Sequence, residues 1–174
     1  MTAIYRKSAD GKTASVDDGK FGVVEPNHLS APRNGQVYAQ LPADDSISVL
    51  ENGMFVDYDY ATGTVKLGGK YMVFNEEKLY DERKQSHRDY AMKAADFYDG
   101  KMYPRVFAMH AGDIFTTNTV KDGTNAETGA KLYIGADGFL TTVGSGSEFA
   151  VVADANATLP DGITPALKIQ VKNV

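Results

Sequence analysis

The sequence predicts a mainly β fold: a small antiparallel barrel or sandwich with one short helix and an extended N-terminal arm. Three observations lead there. Apolar residues from Val37 onward recur with a period of two, the spacing that loads one face of a strand. The runs are short and end in Gly-containing turns such as Asn52-Gly53, Ala111-Gly112 and Asp137-Gly138. A single stretch, near residues 87–98, changes to helical spacing.

The elements follow in order. Residues 1–36 hold turn formers every few positions, among them Asp10-Gly11, Asp18-Gly19, Pro26-Asn27 and Asn34-Gly35. They read as a frayed terminus or as an arm that orders against a neighbouring subunit. The β-rich domain then occupies 37–174. Val37, Ala39 and Leu41 share one side of a strand, and Ile47, Val49, Met54, Val56, Tyr58 and Tyr60 keep the alternation. Asn52-Gly53 is the tight-turn dipeptide expected between two paired strands. Thr64–Leu67 and Lys70–Phe74 complete a meander with one buried face.

A charged, helix-containing insertion is expected at about 75–100. Ser86-His87-Arg88-Asp89 has the form of a capping box, with Asp in place of Glu or Gln. Tyr90, Ala94 and Phe97 follow at i, i+4 and i+7, and Gly100 offers a stop, so a helix is expected from about His87 to Tyr98. Strands resume at Val106–Met109, Asp113–Thr117, Lys131–Ile134, Phe139–Val143, Phe149–Val152 and Leu167–Val171. Gly144-Ser145-Gly146-Ser147 reads as a hairpin turn. Leu50–Phe55 is faintly echoed in Met109–Ile114, too weakly to define a repeat.

Composition narrows the function classes. At 43% hydrophobic and 24% charged, the 174 residues can build a core and do not read as a disordered chain. The net charge of −5 argues against a general nucleic-acid or anionic-membrane binder. With no Cys, there is no disulfide, thiolate metal site or Cys nucleophile. Neither a secretory leader nor an apolar run of membrane-spanning length is expected from the pattern.

No catalytic residue, cofactor site or metal site is assigned. His28, His87 and His110 share no ligand spacing. Asp57 and Asp59 project from one strand face and are the carboxylate pair best placed for cation binding or acid–base work, though a solvated strand face explains them as well. An enzyme built on Asp57, Asp59 and His110 is the least favoured reading. No nucleophile elbow or phosphate loop is present.

The aromatic residues are the remaining signal. With no Trp, 10 Tyr and 8 Phe must supply all the large aromatic area, and many fall in the middle of the chain. Core packing accounts for most such residues. Tyr among charged residues also suits a subunit interface, because it joins contact area to a polar tip. The interface candidates are Tyr58, Tyr60, Tyr80, Tyr90 and Tyr98.

Two stretches carry a resemblance. One is Val49-Leu50-Glu51-Asn52-Gly53-Met54-Phe55-Val56-Asp57-Tyr58-Asp59-Tyr60, leading to Phe74–Glu82. The other is Gly112-Asp113-Ile114-Phe115-Thr116-Thr117-Asn118-Thr119, continuing to Thr158–Gly162 and Ala166–Val171. From about residue 37 onward the chain resembles the small β-rich capsid decoration, or cement, proteins of tailed bacteriophages. The resemblance implies a structural protein of the virion, made in the host cytoplasm. Its partner would be the major capsid protein, it would act as a homo-oligomer, and it would bind neither nucleic acid nor membrane. It transfers no individual residue role. The alternative expectation is a carbohydrate- or host-surface-binding module of a phage particle.

Overall fold

The computed structural model describes residues 22–75, 91–121, 126–160 and 162–174. Along the chain run β1 (Val24–His28), α1 (Ala31–Asn34), β2 (Val37–Tyr38), β3 (Val49–Glu51), β4 (Phe55–Asp59), β5 (Thr64–Leu67) and β6 (Tyr71–Val73). There follow β7 (Ala91–Lys93), a 3-10 turn (Ala94–Asp96), β8 (Val106–Ala108), β9 (Ile114–Thr117), β10 (Lys131–Ile134), β11 (Leu140–Thr141), β12 (Ala150–Asp154) and β13 (Leu167–Val171). Three antiparallel sheets result, ordered β1-β9-β13-β12-β10-β11, β2-β8-β6-β4-β5 and β3-β7. The protein is mainly β and sandwich-like, in accord with the alternating pattern.

The two larger sheets share one plan. With β1 set aside, each visits its strands in the same way: first beside fifth, fifth beside fourth, fourth beside second, second beside third. In each, the chain leaving the first strand reaches the third through one parallel bridge, Ala43 to Val65 or Val120 to Leu140. Each sheet therefore curls without closing, since a single bridge takes the place of a ladder. The echo between Leu50–Phe55 and Met109–Ile114 does not mark this repeat. It matches the turn before β4, the second strand of one sheet, with the turn before β9, the first strand of the other.

Alternation on the β2-β8-β6-β4-β5 sheet explains two cores. Phe55 pairs with Met72 and Met72 with Phe107, so all three share one face. That face packs on Phe115, Leu132, Phe149 and Ile169 of the other sheet. The Phe55 and Phe149 rings meet edge to face at 4.9 Å. Val56, Val65, Val73 and Val106 take the opposite face and pack with Leu50, Met92 and Met102 beneath β3 and β7. Burying each of the largest side chains contributes roughly 1.5–3 kcal/mol.

Gly138 joins the two large sheets. It has φ +80°, and a Cβ there would stand 2.7 Å from the Phe55 carbonyl oxygen. The Phe55 N–H donates to the Gly138 carbonyl at 2.7 Å, while Lys121 and Asp137 pair at 2.9 Å beside the turn. Only a residue without a side chain lets the β10–β11 turn lie this close to β4.

Several expectations are corrected. The helix expected from about His87 to Tyr98 begins outside the described residues. Over the part described, Ala91–Lys93 is a strand paired with Val49–Glu51, and only Ala94–Asp96 coils. Burying Ala91 and Met92 against β3 outweighs the weak helical spacing. Asn52-Gly53 turns the chain but does not join paired strands, because β3 and β4 lie in different sheets. Asn52 holds the backbone of Asn75 through its side chain, and Gly53 N–H donates to Val73, so the turn docks on β6. The loop 144–147 is not a hairpin either, since β11 and β12 are not neighbours.

Residues 22–36 of the expected arm carry β1 and α1, and residues 1–21 lie outside the description. β1 pairs with β9, and Val24, Leu29 and Ala31 enter the larger core. Long-range polar contacts fix this stretch. Glu51 accepts from Gly22 N–H and Asn118 from Val23 N–H, both at 2.7 Å. Asp113, 2% exposed, accepts from the Ser30 N–H at 2.9 Å, the Ser30 hydroxyl at 2.5 Å and the His110 N–H at 2.9 Å. The four-residue helix has Pro32 in its first turn and Gly35 (φ +68°) as its left-handed stop.

Candidate binding face

Strands β2, β4 and β6 carry Tyr38, Tyr58 and Tyr71, and pairing places the three rings in one cluster. Tyr58 meets Tyr71 edge to face at 5.5 Å, Tyr38 meets Tyr71 at 5.8 Å, and Tyr38 meets Tyr58 at 6.1 Å. Tyr60 lies two residues beyond Tyr58 and stacks on it, with centroids 5.9 Å apart and planes 18° apart. Tyr58 is half-buried, whereas Tyr60 is 77% exposed. The cluster thus runs from the second core out to solvent. Burial pushes the Tyr58 phenol up from its ordinary pKa, and nearby Tyr60 and Tyr71 add to that shift. Tyr71 is raised mainly by burial, then by the charge of Asp57. The Lys70 ammonium lies 5.8 Å from the centre of the Tyr71 ring.

The other interface candidates fall elsewhere. Tyr98 is fully exposed, just beyond the 3-10 turn. Tyr80 and Tyr90 lie outside the described residues. The structure adds Tyr38, whose place comes from the long-range pairing of Tyr38 with Val106. No local sequence pattern carries that contact.

The acidic pair is occupied locally. Asp59 accepts from Ala61 N–H and Thr62 N–H at the β4–β5 turn and pairs with Lys66. The Lys66 hydrogen bond and the Thr62 N–H pull its pKa down to about 2. Asp57 is exposed and accepts from the Tyr58 N–H. Asp59, held so firmly ionised, is poorly suited to proton transfer near neutrality. Among the described residues, no group of three His, Asp or Glu side chains is placed to hold a metal. His28 is exposed on β1, His87 lies outside the description, and His110 follows β8 at the turn into β9. Among the described residues, no helix is long and apolar enough to cross a membrane.

Compared with family models, curated proteins and solved structures, the chain matches none.

Proposed function

We propose that the chain is a structural protein that binds the outside of a phage capsid lattice and stabilises the head, acting as an oligomer with the major capsid protein as its partner. The observation that carries this reading is the Tyr58–Tyr60 stack: an exposed ring held in a fixed pose by a half-buried neighbour. A preordered aromatic loses little freedom on docking and brings a large contact area, the property of interface anchors. The resemblance described above supports the same reading. Such a protein stabilises by mass action, because it binds the assembled lattice more tightly than the separate subunits.

The test mixes purified protein with expanded heads that lack it, followed by sedimentation and thermal disruption of the heads. Co-sedimentation and a raised disruption temperature are expected, with at least tenfold weaker binding for Tyr60→Ala. Removing residues 1–21 tests the arm without touching β1, which a cut at Gly35 would destroy. Full-strength binding by that truncated chain would discard the arm as a contact. Failure of the intact protein to bind any head would discard the capsid reading.

A further inference from the structure

We propose that Asn34 is a self-modification site: its side chain closes on the Gly35 backbone nitrogen, loses ammonia and is hydrolysed to aspartate and isoaspartate, whereas the fold holds Asn52 back from the same reaction. This inference is independent of the capsid reading.

The chain has two Asn-Gly pairs, Asn34-Gly35 and Asn52-Gly53. Glycine leaves the amide nitrogen after the asparagine unshielded and lets the backbone swing toward the side chain. In the reaction the Gly35 nitrogen attacks Asn34 Cγ. The N–Cγ bond forms, the Cγ–Nδ2 bond breaks, and Nδ2 departs as ammonia with the proton lost from the Gly35 nitrogen. A solvent water then opens the cyclic imide. Opening at one carbonyl gives aspartate and at the other isoaspartate, and nothing is oxidised or reduced.

The structure separates the two pairs. Asn52 Oδ1 accepts from the Asn75 N–H at 2.8 Å, its Nδ2 donates to the Asn75 carbonyl at 3.4 Å, and its backbone carbonyl accepts from the Thr119 hydroxyl at 2.6 Å. Gly53 is buried, and its N–H donates to Val73 at 2.9 Å. Atoms of Thr119 and Val24 stand within 2.9 Å of where a Cβ would be. Swinging the Asn52 amide onto the Gly53 nitrogen breaks these bonds inside a packed turn, and each adds to the barrier.

Asn34 is the opposite case. It is exposed, and among the described residues no hydrogen bond holds its side-chain amide. It is the last residue of the four-residue α1. That helix is anchored at its start, where Ala31 is buried and Ser30 is bonded to Asp113. Its end is open: Gly35 is exposed, with no atom within 4 Å of where a Cβ would stand. The Gly35 N–H donates to the Ala31 carbonyl, an acceptor it shares with the Gln36 N–H. A single terminal turn frays readily, so the nitrogen is released without unfolding the domain.

Isoaspartate carries the main chain through one additional carbon. At residue 34 it displaces Gln36, whose N–H donates to Ala31 at 2.9 Å and whose carbonyl accepts from the Ala108 N–H at 3.0 Å. Gln36 leads directly into β2, so the modification loosens the strand that carries Tyr38.

The experiment ages the intact protein at mildly alkaline pH, folded in buffer and unfolded in urea. Peptide mass spectrometry follows both asparagines, with isoaspartate distinguished by its fragmentation. In the folded protein Asn34 is expected to convert at least tenfold faster than Asn52, which corresponds to about 1.4 kcal/mol of added barrier at Asn52. Both aspartate and isoaspartate should appear at residue 34. In urea the two asparagines should convert at comparable rates. The isoaspartate fraction, separated by its added negative charge and refolded in buffer, should melt below the unaged protein. The proposal is overturned if Asn52 keeps pace with Asn34 in the folded protein, or if Asn34 stays intact while the unfolded chain converts. It is equally overturned if aspartate is the sole product, the mark of direct hydrolysis, or if the isoaspartate fraction melts as the unaged protein does.

Discussion

Asp113 clamps the segment around α1 to the turn between β8 and β9, and replacing it tests how much that clamp contributes. Asp113→Ala removes the acceptor of three hydrogen bonds and leaves the Ser30 and His110 N–H groups behind in a site where the parent residue is 2% exposed. A hydrogen bond to a charged group contributes about 1.5–3 kcal/mol, and an orphaned buried donor costs about 1–3 kcal/mol. The Ser30 hydroxyl can turn elsewhere, so the sum is an overcount. A loss of about 4 kcal/mol is expected, a large share of the roughly 5–15 kcal/mol that holds a domain folded. Asp113→Asn keeps an oxygen toward Ser30 and sets an amide against the His110 N–H, and about 2 kcal/mol is expected for that one lost contact. Urea unfolding followed by tyrosine fluorescence, usable because the chain has no Trp, gives both values. The midpoint should fall with an unchanged slope. A loss under about 1 kcal/mol for the Ala variant, or an Asn variant as damaged as the Ala variant, would refute the clamp.

Three further outcomes are expected. Gly138→Ala should destabilise more than Gly112→Ala: both positions have positive φ, but only at Gly138 does the added methyl meet a backbone oxygen, and paired thermal melts decide the comparison. Asp59 has a depressed folded pKa, so its stabilisation is present above the unfolded value of 3.8 and is lost as pH falls through about 2. The stability gap between parent and Asp59→Asn should therefore be wider at pH 6 than at pH 2, and a gap that stays constant refutes the assignment. Tyr58 keeps its proton to higher pH in the folded state than in the unfolded chain, so stability falls as pH rises past 10. Ultraviolet titration of Tyr58→Phe should lack a late-ionising phenol that the parent shows.

Much of the fold is legible in the sequence because period-two alternation is a local signal. The strands around Met54–Tyr60, Thr64–Leu67, Lys131–Ile134 and Leu167–Val171 stand where alternation places them. Pairing is not local. Nothing near Asn52-Gly53 says that β3 leaves for a third sheet, since that follows from Asn52 gripping Asn75 and from β7 arriving from far along the chain. α1 is too short to show a periodicity, and the Ala-rich stretch after residue 90 imitates one. Of the tyrosine face, Tyr58 and Tyr60 are visible as strand neighbours. Tyr38 joins them only through β8.

The shared plan of the two large sheets makes each a reference for the other. Strands β2, β4 and β6 of one bear Tyr38, Tyr58 and Tyr71, with Tyr60 just past β4, whereas the corresponding β9, β10 and β12 bear Tyr133 alone. Both halves solve the same topological problem, so tyrosines that the topology required would be found in both. The surplus on one half is something the scaffold does without on the other. Exchanging those tyrosines for the aliphatic and Thr residues that serve the sister sheet is thus a substitution scheme already written in the molecule, one that separates what folds the protein from what the protein presents.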